Sequence, residues 1–367
     1  MTVLSAEHVG LRDSVRGLLT KRSSSAAVRS AMMTENGYDE QLWALLCTQI
    51  GVAGLSIPEQ YGGAGATLFE THLILEELGR TLTPAPMLGS AVLSAHLLLA
   101  LGDTDACRRL LPQIAAGTAI AAVCWAGPDG RWDPAGSAVD AQARPDSPEF
   151  TLCGQTYYVL DGDLADVLLV VADAGAGPAV FEVDPHQSGV SRTHEQSMDH
   201  TRRLARVRLD GVRGRRIGDA AAAALTRARD IACIALSAEQ VGGATRILEM
   251  TVDYSKVRVQ FGRPIGSFQA LKHRMADLHV LVEAARSASY GAVEGSVPPA
   301  VAKVYCSEAF FTVAAEAIQL HGGIAITWEH DAHLYFKRAH GSSQLFGSPG
   351  EYVARITPAA AAARESE

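Results

Sequence analysis

The chain has 367 residues, with 32 Lys+Arg against 40 Asp+Glu and a formal net charge of −8. That length predicts two or three structural units, because single hydrophobic cores stop growing well below it. Hydrophobic residues at 48% and charged residues at 20% exclude a disordered or low-complexity chain, and the acidic balance without a sustained Lys/Arg block excludes a protein that binds nucleic acid by neutralising phosphates.

In chain order, the start from Met1 to His8 has no basic region followed by an apolar run, and no apolar run nears roughly 18 residues, so neither a secretion leader nor a membrane span is expected. Up to about residue 118 the pattern is helical, with apolar residues at three- and four-residue spacing in 41–46 and 71–78. Between those segments, 58–65 reads as a turn-rich loop. From 119 to 215, short apolar runs such as 121–125, 157–160 and 167–171 are broken by Gly, Pro and Asp, which predicts strands. The Arg202-Arg203 pair and the cluster at 213–216 read as solvated loop charge. After an Ala-rich junction at 220–224, helical periodicity returns over roughly 226–258, 266–292, 298–321 and 331–344. The expected division is 1–118, 119–215 and 216–367, with 359–367 a frayed tail.

Six cysteines, Cys47, Cys107, Cys124, Cys153, Cys233 and Cys306, lie far apart with no C-x-x-C pair. They predict buried free thiols in a reducing cytoplasm instead of a disulfide or zinc framework. No G-x-G-x-x-G follows a strand, and the P-loop, H-E-x-x-H and G-x-S-x-G motifs are absent, which removes the commonest dinucleotide, NTPase, metalloprotease and hydrolase readings. His330 and His333 beside Glu329 and Asp331 read as helix caps and surface polar groups, since three-residue spacing next to Trp328 makes a poor metal site. Gln319-Leu320-His321-Gly322-Gly323 reads as a glycine-capped helix end. In Arg258 to Gln269, Gly262-Arg263-Pro264 stops one helix and another restarts after Gly266. That corner brings a guanidinium and helix N-terminal N–H groups together, a chemistry suited to pyrophosphate.

Three stretches together resemble the acyl-CoA dehydrogenase family: Gly54 to Gly65 followed by Glu76-Glu77-Leu78-Gly79-Arg80, the R-x-x-F-G-x-P-I-x-x-x-Q corner from Arg258 to Gln269, and the Q-x-x-G-G turn from Gln319 to Gly323. The resemblance implies a mainly α fold with a central β domain: an N-terminal helical domain (1–118), a β-barrel domain (119–215) and a C-terminal four-helix bundle (216–367). It implies FAD as cofactor, an acyl-CoA thioester as substrate and an acceptor of the electron-transfer flavoprotein type. In the family a carboxylate removes the α-proton while the β-hydrogen leaves as hydride, and hydrogen-bond donors hold the thioester oxygen.

The segment that carries the carboxylate in many members is here Leu345-Phe346-Gly347-Ser348-Pro349, which puts Phe346 at its position. For members that place it on the first bundle helix, an ungapped count from Arg258 lands on Ala232. Asp230 and Glu239 are the remaining candidates for a base, set against a first-turn helix charge for Asp230 and a buried or interface pair for Glu239. The β segment Val123 to Asp129 lacks the Thr/Ser and Glu-Pro that contact the family's own flavin ring. By contrast Arg258, Phe268, Gln269, Gln319, Gly322 and Gly323 match positions that in the family reach a neighbour's FAD.

The resemblance therefore implies one subunit of a heteromeric, heterotetrameric dehydrogenase, whose partner, a second acyl-CoA dehydrogenase subunit, carries the base. The stretch 327–335 resembles actinobacterial members acting on bulky CoA esters such as steroid side chains, by analogy alone. A homo-oligomeric dehydrogenase using Asp230 or Glu239, and a non-catalytic CoA-ester-binding or scaffolding protein, are the alternatives.

Overall fold

The computed structural model describes residues 4–356 except 134 and 146; the tail expected at 359–367 lies outside them. Six helices precede the strands: α1 (Ala6–Arg22), α2 (Ser25–Met32), α3 (Glu40–Leu45), α4 (Leu68–Thr81), α5 (Ala95–Leu101) and α6 (Thr104–Ala115). Their starts follow local chemistry, because Ser5, Ser24, Asp39 and Asp103 each accept a backbone N–H of the following turn. Thr67 and Glu70 close α4 reciprocally, Thr67 N–H donating to Glu70 Oε2 at 2.9 Å and Phe69 N–H to Thr67 Oγ1 at 3.1 Å. A π-helical stretch, Met87–Ser94, leads into α5.

Seven strands follow, β1 (Ala121–Cys124), β2 (Val139–Ala143), β3 (Glu149–Leu160), β4 (Val167–Asp173), β5 (Pro178–Val183), β6 (Val190–His194) and β7 (Leu204–Ile217). Pairing runs β4-β2-β3-β7-β5 and returns to β4, so five strands close a ring, with β1 added parallel to β4 and β6 antiparallel to β7. Closure removes the edges that an open sheet exposes. Alternate residues of β7, Ala205, Val207 and Leu209, enter the barrel with Leu152, Val170 and Phe181.

The C-terminal helices are α7 (Ala221–Val257), α8 (Gln269–Val293), α9 (Pro299–His321) and α10 (Ala332–Gln344), and residues 349–356 are helical as well. The junction expected at 220–224 is the first turn of α7, consistent with alanine's high helix propensity. The 37-residue α7 spans about 56 Å at 1.5 Å per residue. It meets α4 backbone to backbone: a Cβ on Gly79 would lie 2.2 Å from Glu239 O, and one on Gly242 1.9 Å from Glu76 O. Helix α9 is apolar enough over an 18-residue window to cross a membrane, with mean hydropathy 1.4. Its Phe310, Val313, Ala314 and Ala317 are buried with residues of α7, α8 and α10, so a bundle interior accounts for that character. All six cysteines are free; Cys153 is exposed, against the expectation, because it lies on the outward face of β3.

Candidate functional site

The two positions at which the sequence lacks a carboxylate are both buried in the same apolar core. Phe346 is 1% exposed and stands edge-to-face on Trp132, with ring centroids 5.0 Å apart; Trp132 stands likewise on Trp125 at 5.7 Å. Ala232 is fully buried in the same core. Tyr352 OH joins the two segments, donating to Phe346 O at 3.0 Å and lying 3.1 Å from Cys233 Sγ, next to Ala232. Trp125 from the end of β1 anchors the stack by donating its indole N–H to Asp133 O at 2.9 Å. Phe346 adopts φ 64° and Gly347 φ 109°, a reversal that turns the ring inward. The preceding end of α10 is held by the buried Lys303, whose Nζ donates to Ser342 O at 3.0 Å and Ser343 O at 2.9 Å. Burial pushes this amine down to about 8.

Asp230 and Glu239 are nine residues apart on α7, which at about 100° per residue puts them on nearly opposite faces. Asp230 is in the third turn of α7, not the first, because the helix begins at Ala221. It borders a cavity of ≈ 660 Å³ with Ser56, His96, Thr226 and Arg227, and burial pushes its carboxyl above the usual range. His96 accepts or donates to Ser56 Oγ at 3.0 Å, and burial takes its imidazole down to about 4. Glu239 is instead enclosed by guanidiniums, ion-paired with Arg202 and 3.4 Å from Arg338 Nη1. Arg338 in turn donates to Thr201 O at 2.7 Å and pairs with Asp199 at 2.9 Å. The expectation that Arg202 and Arg203 are solvated is corrected here. Both are largely buried, Arg202 on Glu239 and Arg203 on Asp163 at 2.6 Å, because each has a carboxylate partner from a distant segment.

The corner between α7 and α8 forms a separate cleft of ≈ 490 Å³, within the usual size of ligand sites. Arg258, Phe268, Gln319, Gly322 and Gly323 border it together, while Gln269 opens α8 beside it, exposed and outside the lining. A two-residue ladder, Val259–Gln260 on Arg263–Pro264, makes the turn, and the Arg263 guanidinium covers the Phe268 ring at 4.0 Å. Phe261 at the tip has φ 54° and is 90% exposed. Arg258 ends α7 with its N–H on Tyr254 O at 2.9 Å, and no carboxylate among the described residues pairs with its guanidinium. Gly322 takes φ 69°, ψ −151°, a region essentially reserved for glycine. A Cβ on Gly322 or Gly323 would meet nothing within 4 Å, so the turn leaves open space at the cleft.

Sequence reading missed His321 as a lining residue. It falls inside the turn read as a cap, and its ring neighbours, the stacked Tyr254 and the tilted His330, come from other elements. His330 does act as a cap, its Nδ1 accepting Ala332 N–H at 3.1 Å, whereas His333 is buried against Trp328. Among the described residues no group of three His, Cys, Asp or Glu could hold a metal ion.

Residues 5–118 match the family model described as acyl-CoA dehydrogenase, N-terminal domain, and residues 219–350 that described as acyl-CoA dehydrogenase, C-terminal domain. The chain is 45% identical over 350 residues to acyl-CoA dehydrogenase IpdE2 of Mycobacterium tuberculosis, covering 94% of this chain and 95% of that one. Among solved structures it superposes on a steroid ACAD variant, Tcur3481-Tcur3483, with TM-score 0.88, 30% identity and coverage of 98% and 99%. It also superposes on the ChsE4-ChsE5 complex of Mycobacterium tuberculosis with TM-score 0.89, 27% identity and coverage of 98% and 99%.

Proposed function

The chain belongs to the acyl-CoA dehydrogenase family of FAD-dependent oxidoreductases, and from that premise we propose that it is the base-lacking subunit of a heteromeric member. Its partner, a second subunit of the family, carries the base and the flavin-ring contacts, and this chain completes the FAD site in trans. The assembly desaturates a bulky, steroid-derived acyl-CoA thioester in the cytoplasm and passes electrons to an acceptor of the electron-transfer flavoprotein type.

One observation carries the reading: Phe346 is packed on Trp132 and Ala232 is fully buried, while the cleft at Arg258 is open. Removing an α-proton needs a positioned acceptor within hydrogen-bond reach, and a phenyl ring packed on the Trp132 indole supplies none. The cleft fits the nucleotide half of FAD. It offers an unpaired guanidinium, a glycine turn with room for close backbone approach, and an aromatic wall. Bound FAD would accept the β-hydrogen as hydride. The residues of this chain do other work: Arg258 neutralises phosphate, Gly322 and Gly323 admit the ligand, and Phe346 with Trp132 keeps water out of its own barrel–bundle junction. Similarity to a steroid ACAD supports the substrate class, and the paired names of that protein and of the ChsE4-ChsE5 complex support the heteromer.

The test is flavin absorbance of the chain purified alone and co-expressed with candidate second subunits. The expected result is a colourless chain alone and a yellow complex with FAD below one per chain. Full FAD loading with dehydrogenation by the chain alone would overturn the reading and direct attention to Asp230.

A further inference from the structure

Ser56 and His96 lie in different segments of the N-terminal helical region, yet Ser56 Oγ is 3.0 Å from His96 Nε2, and both border the ≈ 660 Å³ cavity beside the start of α7. That volume is within the range of small-molecule sites. Leu68, Ile231 and Ile234 give the cavity apolar walls, and Arg227 stands at its border. Arg227 is exposed, and no carboxylate among the described residues lies within ion-pair distance of its guanidinium. Asp230, one turn further along α7, does not supply the missing charge, since the cations that act on it are Arg229 and Arg355.

Burial, with the Arg227 charge adding to it, takes the His96 imidazole down to about 4, so near neutral pH the ring carries a single proton. The Ser56–His96 pair then has one hydrogen to spare. If Nε2 donates to Ser56 Oγ, the serine hydroxyl is left as a donor; if the hydroxyl donates to Nε2, the ring proton is on Nδ1. Nδ1 has no hydrogen-bond partner and is not among the unpartnered atoms sealed from solvent, as His72 Nδ1 is. A spare donor and an unpaired guanidinium beside hydrocarbon walls select a ligand group that only accepts, carries negative charge and is joined to an apolar body. We propose that this cavity is a ligand site for a small apolar carboxylic acid, its carboxylate paired with Arg227 and hydrogen-bonded by the Ser56–His96 pair, its hydrocarbon body on Leu68, Ile231 and Ile234. The free acid released when an acyl thioester is hydrolysed belongs to this class. Asp230, which also borders the cavity, disfavours a second carboxylate and restricts the site to monoacids. The site needs neither flavin nor a second subunit, so it stands apart from the reading above.

The experiment titrates the full chain by calorimetry with three probes that share one compact apolar body: 1-adamantanecarboxylate, 1-adamantanemethanol and 1-adamantylamine. The carboxylate is expected to bind at one site with Kd below about 1 mM, and the alcohol about tenfold more weakly, the order of one lost hydrogen bond to a charged group. Arg227→Leu should weaken the carboxylate about tenfold and leave the alcohol unchanged. Because Arg227 is exposed and unpaired, this variant should keep the native Tm, so its effect reads the ligand and not the fold. His96→Phe should weaken both probes, and Arg258→Ala neither, which separates this cavity from the cleft between α7 and α8. No saturable heat with the carboxylate up to about 10 mM would overturn the inference. So would equal affinity for carboxylate and alcohol, native carboxylate affinity in Arg227→Leu, or a loss in Arg258→Ala. Tighter binding of the amine than of the carboxylate would make Asp230 the recognising charge and overturn it as well.

Discussion

Phe346 and Trp132 meet edge-to-face with ring centroids 5.0 Å apart and planes at 76°, an aromatic contact where family resemblance calls for a carboxylate. Their packing makes this spot structural, and it predicts the outcome of restoring the acid. Phe346→Glu would bury a carboxylate beside the Trp132 indole, while Phe346→Ala leaves a cavity, a change that typically costs about 3–5 kcal/mol. Urea unfolding should report losses of that order for both variants, and Phe346→Glu alone with added FAD should show no dehydrogenation. Activity in Phe346→Glu would mean that the stack yields to substrate.

The two acidic residues on α7 separate by kind of effect. Glu239→Gln leaves Arg202 and Arg338 facing a neutral amide in a buried network, and breaking such a pair costs about 3–5 kcal/mol. Asp230→Asn removes a carboxyl beside an open cavity and should change kcat of the complex by less than about threefold, against the 10²–10⁴ that loss of a general base costs. A fall of a hundredfold or more in kcat for Asp230→Asn would make Asp230 the base.

The helices were legible because their ends are punctuated. Pro298 precedes α9, Gly322 follows it, and Pro264 lies between α7 and α8, so periodicity only had to fill the intervals. That Ala232 and Phe346 carry no carboxylate is read directly from the sequence, whereas their burial in one core is not. Other features depend on contacts that cross the chain. Glu239 meets Arg202 and Arg338 from two distant segments, so the basic pair at 202–203 read as surface charge. His321 packs against Tyr254 and His330 from other elements, and neighbours in sequence give no hint of it. The π-helical Met87–Ser94 carries no local signal beyond its apolar residues.

Gly242 and Gly323 make a matched pair of substitutions. Alanine at Gly242 would put Cβ 1.9 Å from Glu76 O, and neither α4 nor α7 can retreat without opening the core between them. Gly242→Ala should therefore cost more than about 3 kcal/mol or prevent folding. Gly323→Ala meets nothing within 4 Å and should leave stability within about 1 kcal/mol while weakening FAD retention in the complex, where its methyl enters the cleft. Denaturant midpoints and flavin content read the two effects separately, and loss of stability in Gly323→Ala would refute the assignment of open space.

Asp161 predicts a pH dependence whose sign can be worked out. Burial, reinforced by Asp163 and Glu239 against Arg202 and Arg203, raises its carboxyl from 3.8 to about 7. The folded chain thus binds the proton more tightly than the unfolded chain between those values, so this group's contribution falls as pH rises from about 4 to 7 and then levels. At about 1.4 kcal/mol per tenfold, the full penalty above pH 7 is of order 4 kcal/mol. Asp161→Asn removes the ionisation, and asparagine is well suited to the left-handed backbone found here, φ 53°. The variant should be more stable than the native chain at pH 8, by a margin that shrinks steadily toward pH 4. Urea midpoints measured at pH 5, 6, 7 and 8 give the test, and a margin independent of pH would mean that Asp161 is already ionised throughout that range.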